Sequence, residues 1–110
     1  MQGAEFCVVV IPSTVQVDRS HYEFYRKATF VLDDRLAGSS TPQDRMKEFA
    51  AREQIRCIDL LPGFKTAPDT AALYWENDDH LSEMGHILAF KTLREQFLDE
   101  WTEAQDPASE

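Results

Sequence analysis

Basic residues are scarce in this chain. Eleven Lys and Arg stand against twenty Asp and Glu in 110 residues, giving a formal net charge of −9. Without a basic patch to release counterions from a phosphate backbone, nucleic acid is excluded as an expected partner, and so is an anionic membrane surface. Long apolar runs are missing too. No stretch approaches the roughly 18 residues of a membrane-spanning helix. The start, Met1-Gln2-Gly3-Ala4-Glu5-Phe6, has neither the basic flank nor the apolar core of a signal peptide. Only two cysteines occur, Cys7 and Cys57, and neither belongs to a Cys-x-x-Cys. Each lies in an apolar run and reads as a buried free thiol in a strand, with a disulfide between neighbouring strands as the alternative. There is no internal repeat and no low-complexity segment.

What is present is a globular composition, 43% hydrophobic and 28% charged, at a length that allows one domain and is small for an α/β fold. Phe6-Cys7-Val8-Val9-Val10-Ile11, closed by Pro12, is a continuous β-branched run and reads as a strand buried on both faces of a parallel sheet. Gly3 reads as the end of a preceding helix, which would put Met1 in mid-domain. Asp18 and Ser20 are both N-cap candidates for a helix carrying Tyr22, Phe24, Tyr25 and Ala28. Phe30 to Leu36 reads as a further helical turn or a loop. Thr41-Pro42-Gln43-Asp44 opens a helix with Thr41 as cap and Pro42 in the first position. Ile55 to Leu61 reads as a second strand ended by Pro62-Gly63, and Lys65 to Thr70 as a loop. The last helix starts near Ser82 and runs to about Trp101, with Met84, Ile87, Leu88, Phe90, Leu93, Phe97, Leu98 and Trp101 covering more than half its circumference. Residues 102–110 are a polar tail. Two strands joined by a helical crossover make a parallel βαβ unit. The expected fold is therefore α/β, with two parallel strands and about three helices.

The chemistry concentrates in Tyr74-Trp75-Glu76-Asn77-Asp78-Asp79-His80-Leu81-Ser82-Glu83-Met84-Gly85-His86. A histidine works as a general base when a carboxylate fixes its tautomer and stabilises the imidazolium. In an extended segment, residues two apart share a side, which favours Asp78 as the partner of His80. In a turn the residue three back would serve, and that is Asn77; Asp79 would point away. A metal site from Asp78, Asp79, His80, Glu83 and His86 matches no zinc or calcium spacing, since His80 and His86 are not at i and i+4. His86 alone reads as a helix residue with a structural hydrogen bond. Gly38-Ser39-Ser40 lies in an inter-helix loop with no strand to present a nucleophile. Asp18-Arg19-Ser20-His21 reads as a helix cap followed by a surface histidine.

Asp78-x-His80, then Leu81, Ser82 and Gly85-His86 at the head of the last helix, resembles the final block of the SGNH (GDSL-type) hydrolases. Asp59-Leu60-Leu61-Pro62 resembles the end of that family's last strand, and Val8-Val9-Val10-Ile11-Pro12-Ser13 its penultimate strand. The Pro-capped helix start at Thr41-Pro42-Gln43 fits members with an inserted helix. The resemblance covers most of residues 3 to 101 but only the C-terminal part of the family's domain. It implies a partial flavodoxin-like, three-layer fold, serine acyl transfer on an ester substrate, His80 as catalytic base, Asp78 as its orienting carboxylate, and no cofactor. Two departures stand out. The commoner spacing is Asp-x-x-His, and Asn77 occupies that position here; Asp-x-His occurs in alginate O-acetyltransferase-like relatives. The Gly-Asp-Ser nucleophile and the oxyanion-hole glycine and asparagine are absent, Asn77 being the only asparagine. The expectation is thus the C-terminal portion, residues 1–101, of an SGNH-like ester hydrolase or O-acyltransferase, inactive in isolation. The alternative is a non-catalytic oligomerising or binding module with a relic histidine motif, and a metal-dependent hydrolase comes third. Unpaired strand edges and the broad apolar circumference of the last helix predict a homodimer.

Overall fold

The computed structural model describes residues 5–28 and 35–105. The expectations for Gly3, for Phe30 to Asp34, for the end of the tail and for the side chain of Trp101 lie outside the described residues. Strand β1 (Cys7–Val10) pairs in parallel with β2 (Arg56–Asp59), Cys7 opposite Arg56 and Val10 opposite Asp59. The Leu60 N–H donates to the Val10 carbonyl at 3.1 Å and carries the ladder one step further. Between the strands run α1 (Thr14–Val17), α2 (Arg19–Lys27), a 3-10 turn at Leu36–Gly38 and α3 (Thr41–Arg52). After β2 come α4 (Leu61–Lys65), a 3-10 segment at Thr70–Leu73 and α5 (Glu83–Gln105).

The described residues are therefore mixed α/β, with a two-stranded parallel sheet and five helices where the sequence predicted about three. The two additions, α1 and α4, are single turns. Strand β2 stops at Asp59, two residues before the expected end at Leu61, and Leu61-Pro62 open α4, because the first turn needs no N–H from Pro62 and Asp59 Oδ1 accepts the Leu61 N–H at 2.9 Å. Helix α2 is capped by Asp18, which accepts from the His21 N–H. Helix α3 begins one residue differently from the reading: Ser40 is the N-cap, and Thr41 and Pro42 are the first two helical residues. Helix α5 continues through 102–105, which the sequence assigned to a polar tail.

The core joins β2 to α1, α4 and the 3-10 segment: Val17, Ile58, Leu60, Leu61, Phe64, Leu73 and Tyr74, with Val9, Leu81, Leu88 and Leu93 packed against them. Contrary to expectation, β1 is not buried on both faces; all four residues are half-buried. A two-stranded sheet leaves an edge beside each strand among the described residues. Cys7 and Cys57 are free thiols and half-buried rather than buried; burial lifts the Cys57 thiol above its ordinary 9.0.

Two polar features lock the helices in place. Gln16 and Gln43, both buried, exchange amide hydrogen bonds at 3.0 and 3.1 Å, clasping α1 to α3. Each buried amide is satisfied by the other, which removes the desolvation cost either would carry alone. At the other end, Gly85 lies against the Leu73 carbonyl so closely that a Cβ would collide with it. Ser82 caps α5 by accepting the Gly85 N–H at 3.2 Å, while its hydroxyl donates to the Ala72 carbonyl. Helix α5 is thereby fixed to the 3-10 segment before it.

Candidate active site at the His80 loop

Residues 75–80 form a tight excursion between the 3-10 segment and α5. Tyr74 and Leu81 make an isolated antiparallel bridge at its base. The Trp75 N–H donates to the His80 carbonyl at 3.0 Å, and the Asp78 N–H to the Trp75 carbonyl at 3.2 Å. Asn77 closes the turn with φ of +57°, a left-handed conformation that asparagine tolerates better than most residues. This is a backbone reason for the chain's only asparagine, and it accounts for an amide at the position where an acid would give Asp-x-x-His.

Asp78 is the residue against the histidine ring. Its Oδ1 lies 2.5 Å from His80 Nδ1 and also accepts the His80 backbone N–H at 2.8 Å. The local structure is an Asx-type turn, not the extended segment on which the i, i+2 reading was based. Asn77 takes the left-handed position of the turn, and Asp79 bonds to Thr14 instead. An ionised carboxylate can only accept, so Nδ1 carries the proton in the neutral ring and the lone pair sits on Nε2. The His80 side chain is 86% exposed and that of Asp78 47%, which leaves Nε2 open to solvent. The hydrogen bond to Asp78, with its charge, raises the His80 pKa above the ordinary 6.5. The bond to His80 lowers Asp78 below its ordinary 3.8.

The loop sits at the C-terminal end of the parallel strands, where open α/β sheets place their sites. Two contacts hold it there. The Tyr74 hydroxyl, buried, donates to the Pro12 carbonyl just beyond β1 at 2.7 Å. Asp79 Oδ1 accepts the Thr14 N–H at 2.7 Å, with the Ser13 hydroxyl 3.5 Å from both of its oxygens. Burial, reinforced by the Asp79 charge, pushes the Tyr74 phenol well above its usual range, so it remains a neutral donor. Tyr25 of α2 lies near the same acids; burial first, then Asp79 and Asp78, raise its phenol.

Sequence reasoning missed three participants. Tyr74 and Asp79 act across 62 and 65 residues of chain, a separation with no local signal. His21, read as a surface histidine, is only 7% exposed, with its ring 6.2 Å from that of Tyr74 and its Nδ1 without a partner. It lines a cleft of ~490 Å³ beside the loop, together with Phe24, Asp69, Glu76 and Asn77. The inward face of α2 carries His21 and Tyr22 because Asp18 sets the start of that helix.

The other candidates are occupied elsewhere. Ser39 Oγ accepts the Thr41 N–H, and the Ser40 hydroxyl donates to Asp44, so both serve the start of α3. His86 Nδ1 faces the Ser82 carbonyl at 2.9 Å, one turn back on α5. Among the described residues no group of three or more His, Cys, Asp or Glu is arranged to hold a metal ion. Among them, too, no helix is long and apolar enough to cross a membrane. No family model matches the chain, and neither a curated protein nor a solved structure matches it.

Proposed function

We propose that the chain is the acid–base end of an SGNH-like serine ester hydrolase or O-acyltransferase, the C-terminal portion of a flavodoxin-like domain. His80 is the general base and Asp78 the carboxylate that orients it. The observation that carries this reading is the Nδ1–carboxylate contact, with Nε2 left open beside the C-terminal end of the parallel strands. In acyl transfer, Nε2 would take the proton of an attacking serine and return it to the leaving alcohol, while Asp78 stabilises the imidazolium between the two steps. The serine and the oxyanion donors are not encoded in these 110 residues and would come from another segment or chain.

Covalent capture tests this. The native polypeptide that contains these residues should react with a fluorophosphonate at one serine, and His80→Ala should abolish the reaction. The 110-residue chain by itself should not react. Labelling of Ser39 or Ser40 in the short chain, or undiminished labelling of the native polypeptide after His80→Ala, refutes the proposal.

A second reading, a self-associating module, is favoured by a different observation. Met84, Ile87, Phe90 and Phe97 of α5 are each 42–62% exposed. Burial of such side chains contributes about 1.5–3 kcal/mol each when complete, more than screened repulsion between chains of charge −9 opposes. A homodimer at micromolar concentration and physiological salt is the expected result of sedimentation equilibrium. A folded monomer there rules it out.

A further inference from the structure

The loop that carries Asp78 and His80 contains a second acid whose carboxylate faces the protein rather than the ring. We infer that Asp79 is a positioning residue: by accepting the Thr14 N–H it fastens the loop to the junction of β1 and α1, and so keeps Asp78 and His80 in register for proton transfer. This rests on reading His80 as a base.

The geometry argues for it in three steps. First, the ring of His80 is almost fully exposed, so packing does not orient it. Its orientation follows from Asp78 and from the backbone of the loop. Second, the backbone bonds of the loop are internal: Trp75 to His80, Asp78 to Trp75, and the Tyr74–Leu81 bridge. These set its shape but do not tie its tip to the sheet. Asp79, 65 residues from its partner, does. Third, the anchor point is fixed. Thr14 is fully buried and begins α1, which the Gln16–Gln43 pair clasps to α3. A carboxylate accepting a backbone N–H is a charge-assisted bond, roughly twice as strong as a neutral one. Successive residues of the turn thus divide the work: Asp78 holds the ring, and Asp79 holds the loop.

Charge and anchoring can be separated by substitution. Asp79→Asn removes the charge but retains an acceptor for Thr14. Thr14→Pro retains the charge and removes the N–H, at a first helical position where proline is favoured. Ser13 before it already has φ −71° and ψ 148°, the conformation that a following proline requires. Asp79→Ala removes both. The readout is His80 in the whole 110-residue chain, by NMR: its titration midpoint, with Asp78 and Asp79 as the neighbouring acids, and its ring-nitrogen shifts above that midpoint, which report the tautomer.

In the unsubstituted chain the proton should reside on Nδ1 and the midpoint above 6.5. Asp79→Asn should preserve the tautomer while the midpoint falls modestly through loss of a charge. Thr14→Pro and Asp79→Ala should both return the tautomer to the mixture of a free histidine and bring the midpoint back to about the ordinary value. If Thr14→Pro and Asp79→Ala keep the Nδ1 tautomer, with circular dichroism showing an intact fold, Asp79 is not a positioning residue. Should Thr14→Pro fail to fold, the Asn and Ala substitutions at Asp79 decide: equal tautomer populations refute the inference, and rescue by Asn supports it. The measurement involves no substrate. Failure of fluorophosphonate capture would therefore refute the catalytic reading and leave the anchoring result standing.

Discussion

Tyr74→Phe isolates a single hydrogen bond at the junction between the sheet and the His80 loop. Tyr74 is 3% exposed, and its hydroxyl donates to the carbonyl of the buried Pro12 at 2.7 Å. The phenylalanine ring would keep the edge contact with Phe64 at 6.2 Å, so the loss is confined to one donor. The Pro12 carbonyl then remains buried without its partner, which costs about 1–3 kcal/mol. With an m-value of about 1–3 kcal/mol/M in urea, the unfolding midpoint should fall by about 0.3–3 M, at unchanged m. Circular dichroism at 222 nm suffices as the probe. Trp75→Phe, at a side chain 58% exposed, is the control and should stay within about 0.5 kcal/mol. A Tyr74→Phe midpoint indistinguishable from that control would show that this carbonyl does not depend on the hydroxyl, and would remove Tyr74 as the stem of the loop.

The ion pair has a pH signature. His80 has its pKa raised above 6.5, so its contribution to stability is full below that value and is lost as pH rises through the folded pKa. Asp78 has its pKa lowered below 3.8, so its contribution is present above that value and is lost as pH falls through the folded pKa. Urea midpoints of the unsubstituted chain minus those of Asp78→Asn should thus be greatest between about pH 4 and 6.5, and the difference should shrink on both sides. Gly85→Ala should destabilise by about 1–3 kcal/mol through the clash with the Leu73 carbonyl, read from the same urea curves; an unchanged midpoint would mean that α5 shifts freely. His80→Ala should lower the midpoint only slightly, and more at about pH 5 than at about pH 8, since the ring is 86% exposed and its one contribution is the pair with Asp78.

The long-range layout was legible where the pattern was continuous. The β-branched run at 6–11 and the strand-like segment at 55–61 predict a parallel pair, and a shorter pair, 7–10 with 56–59, forms. The start of α3 and the cap of α5 were readable within one residue, because Pro42, Ser40 and Ser82 act on their own helix termini. The single turns α1 and α4 were not, since four or five residues give no periodicity. Burial was overestimated for β1 because its neighbours cannot be counted from its own sequence. His21 was misplaced for a related reason: a polar residue near a cap resembles surface, and only the fold brings Tyr74 against it from 53 positions away. Within the site, the acids beside His80 were visible, but their division of labour was not. Spacing ties Asp78 to an extended segment and Asn77 to a turn; the segment is a turn, yet Asp78 faces His80, because Asn77 takes the left-handed position.

The same division of labour bears on whether the histidine motif is a relic. Asn77 supplies a turn that other residues adopt less readily, Ser82 caps α5, and Gly85 admits the Leu73 carbonyl. Tyr74 and Asp79 tie the loop to the end of β1. Selection for the fold alone would keep those five. Asp78 also serves the turn by accepting the His80 backbone N–H, but the exposed His80 ring fills no core and its ion pair contributes little to stability. The ring is the part of the run with no packing role in the described residues. On the proposed reading, proton transfer would give that ring its role: a base needs an open nitrogen, an acid on the other nitrogen, and a loop that does not let them drift apart.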